Sequence, residues 1–402
     1  MFHISEFINK KITGRSRSMF ENDIEKHSDA LLSGISGKKL LVIGGAGTIG
    51  SNFIFAMLKF KPAELYVIDN DENGLTELTR DLRSRSDISV PDVYKAYPMD
   101  FGDTVFEKLL ANEGPFDIVA NFAAHKHVRS EKDHYSIEAM FRNNVLKARR
   151  LLDLLLDNPP AHFFCVSTDK AANPVNLMGA SKQLMENLIM AYSGGIKIST
   201  ARFANVAFSN GSLLHGFVER MKKKQPLSSP SDIRRYFISP VESGQLCALA
   251  CMLSSSGDIF FPKLEEDEMK IFSEIAVAFL KDQGLEARAY SSENEAKLAA
   301  SQLSVKSTDY PVYFFKSDTS GEKSYEEFYT KGEELDMDSF EALGVIKNAN
   351  AFSLSAMNKM MNKLRTVLNK PNLDKNELLK LMGELIPSFE YIEKGKNLDQ
   401  KM

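Results

Sequence analysis

Thr168, Asp169 and Lys170 place a hydroxyl, a carboxylate and an amine at consecutive positions. They follow the apolar run Phe163-Phe164-Cys165-Val166-Ser167, which reads as a central strand, and polar residues at the carboxyl end of such a strand face the ligand crevice of a doubly wound sheet. The three groups can serve as a proton-transfer set in which Asp169 and Lys170 shift each other's pKa. A helix-capping loop with a solvated ion pair is the plainer reading of the same residues. Further on, Met178 and Lys182 stand four apart in a helical pattern, on one helix face. A thioether cannot transfer a proton.

A second chemical signal is Gly44-Gly45-Ala46-Gly47-Thr48-Ile49-Gly50, between an apolar run and an apolar helix. Gly44 and Gly47 allow a tight turn and the approach of a pyrophosphate to backbone amides, and Gly50 lets helix and strand pack closely. Asp69 ends the next strand, about 20 residues on, where its carboxylate can accept from a ribose diol and repel a 2′-phosphate. Asn70 and Asp71 are not basic. NAD is therefore expected rather than NADP, on Gly44, Gly47, Thr48, Ile49, Gly50 and Asp69. Asp100-Phe101 closes the third strand, where Asp100 either meets the adenine amino group or caps the next helix.

These residues need a frame, and the pattern supplies one. Short, two-sided apolar runs (Lys39–Ile43, Leu65–Ile68, Val93–Met99, Ile118–Phe122, Phe163–Ser167, Ile198–Phe203) alternate with helical stretches, including Thr48–Phe60, Ile137–Leu156 and Leu177–Tyr192. That alternation predicts an α/β fold with a doubly wound parallel sheet. Beyond Phe203 the pattern loosens into a smaller α+β lobe, with the polar run Ser228–Asp232 as a loop, helices at Val241–Leu253 and Ile271–Gln283, and strands at Ile259–Phe261 and Val312–Phe315. The end is Met- and Leu-rich and helical, with a capping box expected at Asp374-Lys375-Asn376-Glu377 and the methionines read as packing material.

Composition sets limits. With 402 residues, 43% hydrophobic and 26% charged, the chain is an ordinary globular one of two or three units. The net charge of −4, with signs mixed along the sequence, argues against a nucleic-acid surface but leaves room for a local basic pocket. No apolar stretch reaches the roughly 18–20 residues of a membrane span and the start lacks a signal-peptide pattern, so the expectation is a cytoplasmic protein without a membrane anchor. Cys165, Cys247 and Cys251 show no metal spacing, and Cys247 and Cys251 read as buried core thiols.

The glycine spacing, together with Asn121-Phe122-Ala123-Ala124, resembles the extended short-chain dehydrogenase/reductase superfamily (Rossmann fold). The small Ala123 and Ala124 would then let the nicotinamide-side ribose and phosphates pass, with Ser167 beside the cofactor. The runs His125-Lys126-His127-Val128, Ser167-Thr168-Asp169-Lys170-Ala171, Asn173 to Lys182, Arg202-Phe203-Ala204-Asn205-Val206, Arg235-Tyr236-Phe237, Asp258 to Lys263 and Gly321-Glu322-Lys323 occur in the order seen in bacterial UDP-N-acetylglucosamine 4,6-dehydratases of the polysaccharide-biosynthesis family. The likeness covers about residues 36–345, in the branch with Met in place of the superfamily's Tyr, here Met178.

The resemblance implies a lyase (hydro-lyase) that oxidises C4, eliminates water across C5 and C6, and returns hydride to C6, with NAD tightly bound and regenerated. Lys170 would remove the C5 proton and Asp169 protonate the departing C6 hydroxyl. For the C4 hydroxyl proton Thr168, Asp169 and Lys182 through a ribose hydroxyl all remain candidates, Lys182 mainly holding the nicotinamide ribose. For the UDP-sugar, Arg235 and Lys323 are the candidate cations, Asn205 a phosphate donor and Glu322 a ribose acceptor; a surface salt bridge with Asp232 is the plainer role for Arg235. Arg202 reads as structural or functional. Lys126 and His127 would border the sugar, although His125 and His127 also read as satisfied structural histidines, and Asn144 as structural.

The implied organisation is a helical arm at 1–37, an NAD-binding domain at 38–205, a UDP-sugar lobe at 206–350 that partly returns to the sheet, and a helical extension at 351–402, in a homo-oligomer. Competing readings are a UDP-sugar C4 or C5 epimerase and, because of Met178, a nucleotide-binding sensor or scaffold without turnover.

Overall fold

The computed structural model describes residues 3–318, 321, 323, 325–349 and 352–393. Six parallel strands carry the frame: β1 (Lys39–Ile43), β2 (Glu64–Asp69), β3 (Val93–Pro98), β4 (Ile118–Asn121), β5 (His162–Val166) and β6 (Ile198–Ala201). They stand in the order β3-β2-β1-β4-β5-β6, and beyond β6 the sheet continues with Asp258–Pro262, Leu343–Lys347 and Glu334–Asp336. Asp258–Pro262 is parallel to β6, while the last two strands run antiparallel. The central strands are Val-, Ile-, Leu- and Phe-rich because helices bury both faces. β1 pairs with β2 on one side and β4 on the other, so chain direction across the sheet reverses there. In this architecture ligands bind outside the carboxyl ends of the strands at that reversal.

The helix Thr48–Leu58, which follows the glycine loop, is crossed by Pro240–Leu253. They approach closely at Gly244, where a Cβ would come within 2.2 Å of the Asn52 backbone. Cys247 and Cys251 lie fully buried on this second helix, and burial pushes the Cys251 thiol up to about 12. The stretch expected as one helix over 137–156 is interrupted. His134–Phe141 and Ala148–Leu155 are α-helical, but Arg142–Lys147 forms a π-turn. That wider turn carries Asn144, which reaches Ser181, and Lys147, which reaches Asp100.

The smaller lobe has its own parallel sheet, ordered Glu286–Tyr290, Asp309–Phe315, Leu227–Pro230. The run 228–232 is therefore only partly the loop that its polarity suggests. Ser228 and Ser229 are buried in an edge strand, a position that tolerates Pro230 because no further strand needs its amide. Phe7, Ile8 and Ile12 of the N-terminal segment complete this lobe's core, while Leu31 and Ile35 pack into the core of the large sheet.

The C-terminal helices Leu354–Leu368 and Lys375–Leu385 lie on the helix Leu177–Met190, with Met357, Met361 and Met382 fully buried. Asp374 caps the last helix through the Asn376 amide at 2.9 Å, but Glu377 does not close a capping box; it pairs with Lys370 at 2.6 Å. A lysine within reach offers a carboxylate more than a backbone amide does.

Candidate active site

Gly44 leaves β1 with φ +76°, and a Cβ there would lie 2.5 Å from the Ala123 nitrogen at the end of β4. A Cβ on Gly50 would lie 2.3 Å from the Gly44 oxygen. The loop is thus pressed between two strand ends and its own helix, and only glycine fits at either point. Gly47 is the N-cap of Thr48–Leu58 and supplies no side chain to its amides, which leaves them for an anion. The Thr48 hydroxyl accepts from the Asn210 amide at 3.0 Å, tying this loop to the second lobe; Ile49 beside it is half-buried. Asp69 accepts from the Ala46 amide at 2.9 Å and the Asp71 amide at 3.0 Å, so its carboxylate is fixed against the glycine loop. Free amides at a helix start and a fixed carboxylate beside them are a donor and acceptor set suited to a dinucleotide's pyrophosphate and ribose diol.

Asp100 does not cap the next helix; Asp103 occupies the N-cap of Thr104–Glu113. Instead Asp100 accepts from the Gly102 amide at 2.7 Å and pairs with Lys147. Burial opposes its ionisation, yet the Lys147 ammonium and the Gly102 amide hold its pKa below the usual range. Phe101 is buried edge-on to Phe106, with the Lys147 ammonium 5.7 Å from its ring centre. At the end of β4 the Ala123 amide donates to the Asn121 side chain at 3.0 Å, and Ala124 follows, half-buried.

Beyond β5 the chain turns through a short 3₁₀ segment, Asp169–Ala171, which Thr168 caps. The Lys170 Nζ lies 3.0 Å from an Asp169 oxygen that also accepts from the Thr168 hydroxyl at 2.8 Å. Asp169 is 3% exposed. Burial disfavours the Lys170 charge, but Asp169 and Glu326 outweigh it and raise the pKa.

Asn176 then starts the helix Leu177–Met190 by accepting from the Gly179 amide at 2.7 Å. Met178 and Lys182 share its face, both buried. Lys182 donates to the Val166 carbonyl at 2.6 Å and approaches the Met185 sulfur at 3.3 Å, and burial lowers its pKa. The Ser167 hydroxyl donates to Glu186, which pairs at 2.8 Å with the buried Arg202. Arg202 also meets Glu333 at 3.0 Å and the Phe328 carbonyl at 3.1 Å, so it ties the strand end to the following loop. Asn144 bridges the His125 backbone and the Ser181 hydroxyl.

From the second lobe, Arg235 is 4% exposed and donates to the Lys323 carbonyl at 3.0 Å. It is no surface group, and it forms an ion pair with the buried Glu326, 3.7 Å away. The amide nitrogen of Asn205 is buried without a partner among the described residues. Glu322 lies outside the described residues. On the loop after β4, Lys126 keeps solvent contact while neighbouring protein lowers its pKa through desolvation. His127 faces Gly211, and desolvation, then Lys126 and Arg129, push it down to about 4.

Two carboxylates escaped the sequence reading. Glu326 stands between Lys170 and Arg235, and its signal was the Glu326-Glu327 pair just after Lys323. Glu131 accepts from the Met178 amide at 2.9 Å, and burial raises its pKa to about 7. Nothing in its local sequence set it apart.

The family described as polysaccharide biosynthesis protein matches residues 40–348. The chain belongs to that family. An uncharacterized membrane protein of Methanocaldococcus jannaschii is 34% identical over 246 residues, 60% of this chain and 71% of the relative. The capsular polysaccharide biosynthesis protein CapD of Staphylococcus aureus is 27% identical over 56% of this chain, which spans only 38% of that relative's length. A UDP-glucose 4-epimerase of Rickettsia massiliae is 28% identical over 74% of this chain and 87% of its own.

Among solved structures, Pen from Bacillus thuringiensis aligns with TM-score 0.63 and 21% identity, covering 82% of this chain and 98% of that one. DesIV, a dTDP-glucose 4,6-dehydratase from Streptomyces venezuelae solved with NAD, aligns with TM-score 0.55 and 20% identity over 72% and 87%. The fold is thus the Rossmann-like α/β fold of these structures. Among the described residues no helix is long and apolar enough to cross a membrane.

Proposed function

We propose that this member of the family is an NAD-dependent 4,6-dehydratase of a UDP-N-acetylhexosamine, with UDP-N-acetylglucosamine the first substrate to test. The observation that carries the reading is the Lys170–Asp169 hydrogen bond of 3.0 Å at the carboxyl end of β5, between a half-buried lysine and a buried carboxylate. One proton shared by this pair serves elimination. When it sits on Asp169, Lys170 is an amine that can take the C5 proton, and Asp169 is an acid that can give its proton to the departing C6 oxygen. Water leaves, Lys170 later returns its proton to C5, and the proton released by the C4 hydroxyl replaces the one that Asp169 gave up, so the pair ends as it began. Simple C4 epimerisation needs no acid for a C6 hydroxyl.

When bound on the glycine loop, NAD would supply a reversible hydride acceptor for the sugar. Gly44, Gly47, Thr48, Ile49, Gly50 and Asp69 would hold its adenosine and pyrophosphate, and Lys182 would place a positive charge at the nicotinamide end. Asn205, whose buried amide nitrogen has no partner among the described residues, is a donor open to a substrate phosphate. Arg235 and Lys323 add positive charge beside it, and Lys126 and His127 would border the sugar.

An epimerase is the second reading, favoured by the likeness to the rickettsial UDP-glucose 4-epimerase. Proton NMR of UDP-N-acetylglucosamine incubated with the protein in D₂O separates the two. A new C6 methyl signal with deuterium at C5 is the expected result. An inverted C4 or C5 without that methyl would establish the epimerase, and an unchanged spectrum with NAD bound would remove catalysis on this substrate.

A further inference from the structure

Glu326 reaches the reaction centre from the second lobe. It is 5% exposed, and the same carboxylate oxygen lies 3.7 Å from the Lys170 Nζ and 3.7 Å from the Arg235 guanidinium. The groups facing Lys170 are therefore Asp169 from its own turn, at 3.0 Å, and Glu326 and Arg235 from the other lobe, with Lys323 acting on Glu326 behind them. Two negative and two positive groups form one chain, Asp169–Lys170–Glu326–Arg235, in which only Lys170 keeps some solvent contact. Neither 3.7 Å contact is a hydrogen bond, so Glu326 acts on Lys170 through its charge and not through a fixed proton path.

We propose that Glu326 is a positioning residue for the proton shared by Lys170 and Asp169, keeping that proton on the pair in the free enzyme so that it is there for Asp169 to take up and give to the departing oxygen. This rests on the dehydratase reading of Lys170 and Asp169. Elimination needs one proton on the pair: with two, Lys170 is no base, and with none, Asp169 is no acid. Removing the negative charge of Glu326 leaves Lys170 beside Arg235 with Asp169 as the carboxylate that balances it among the described residues. The pair then loses its proton at lower pH. Arg235 makes the effect conditional, because a phosphate drawing on Arg235 would free the Glu326 charge to act on Lys170 alone. Glu326 would thus report nucleotide binding in the second lobe to the reacting groups on the first.

The test compares wild type with Glu326→Gln, which keeps the shape and removes the charge, and Glu326→Asp, which keeps the charge; circular dichroism and NAD binding check folding. Lys170 is followed by NMR of ¹³C-lysine-labelled protein, its signal identified by loss in Lys170→Met, while kcat/KM is measured against pH. In wild type Lys170 should titrate above an ordinary lysine. In Glu326→Gln the midpoint and the alkaline limb of kcat/KM should both fall, by about one to three pH units, and Glu326→Asp should restore most of the shift. An unchanged midpoint and pH profile in Glu326→Gln, in a protein whose wild type makes the 4-keto-6-deoxy sugar, would overturn the role of Glu326 and leave the dehydratase reading standing. A lowered midpoint with no turnover by wild type would place the failure in the dehydratase reading instead.

Discussion

Lys170 and Asp169 are neighbours in sequence whose side chains meet at 3.0 Å, because the 3₁₀ turn after β5, capped by Thr168, brings both to the same side. An extended chain would send consecutive side chains to opposite sides. Each proton role has one atom to perform it, so Lys170→Met and Asp169→Asn should each lower kcat by at least about 10²–10⁴-fold. Neither residue belongs to the glycine loop, and NAD affinity should stay within a few-fold of wild type. Steady-state rates and a fluorescence titration with NADH check both halves, and near-normal turnover in either variant would remove the assigned roles.

The contact between Gly44 and Ala123 makes a prediction about the cofactor alone. Gly44→Ala forces a Cβ to within 2.5 Å of the Ala123 nitrogen at a backbone with φ +76°. The strain should cost about 1–3 kcal/mol of stability. Opening the loop from β4 should also weaken NAD binding at least tenfold. Urea denaturation and cofactor titration measure the two, and wild-type NAD affinity would show that the loop tolerates the displacement.

What could be read in the sequence was local. The glycine loop with Asp69, and the run Thr168 to Lys170, announce themselves because their members lie at strand ends a few residues apart, where backbone geometry fixes the site. Asp100 had two readings from its position; the helix cap falls away because Asp103 holds the N-cap, and the Lys147 contact that Asp100 makes instead depends on a π-turn that no periodicity signals. Glu326 was missed for a different reason: the Glu326-Glu327 pair stands out in the sequence, but Glu326 meets Lys170 only in the folded chain, 156 residues away in sequence. Ser228 and Ser229 misled because polarity suggests a loop, whereas burial is set by the helices that cover that sheet edge.

His162 starts β5 half-buried, its Nδ1 3.1 Å from the Cys251 carbonyl, and desolvation, then the nearby Lys197, push its pKa down to about 4. The unfolded chain binds that proton near pH 6.5, so the unfolded state holds more protons between the two values. The stability from neutral His162 is present above about pH 6.5 and falls away as the pH drops toward 4. Solvent screening of a half-exposed ring reduces this to about 1 kcal/mol. Comparing His162→Gln with wild type by urea denaturation at pH 7.5 and pH 5, the variant should lose less stability on acidification. Equal losses would show that His162 titrates normally in the fold.

A short C-terminal segment joins the two halves of the site. The Glu390 and Ile392 amides donate to the Pro174 and Val175 carbonyls at 3.2 and 3.1 Å, and the Ile392 carbonyl accepts from the Gly321 amide at 2.8 Å. Gly321 in turn accepts from the Asn176 side chain at 2.7 Å, has φ +71°, and would place a Cβ 2.5 Å from the Asn176 Cβ. Gly321→Ala therefore pushes against the residue that caps the helix carrying Met178 and Lys182, and on its other side disturbs the loop leading to Lys323 and Glu326. The strain should cost about 1–3 kcal/mol, seen as a lower Tm. Because the glycine loop and Asp69 lie apart from this junction, KM for the UDP-sugar should rise several-fold while the NAD Kd changes little. An equal loss of NAD affinity would mean that the disturbance spreads through the whole sheet, and the junction would then be a general support rather than a part of the substrate side.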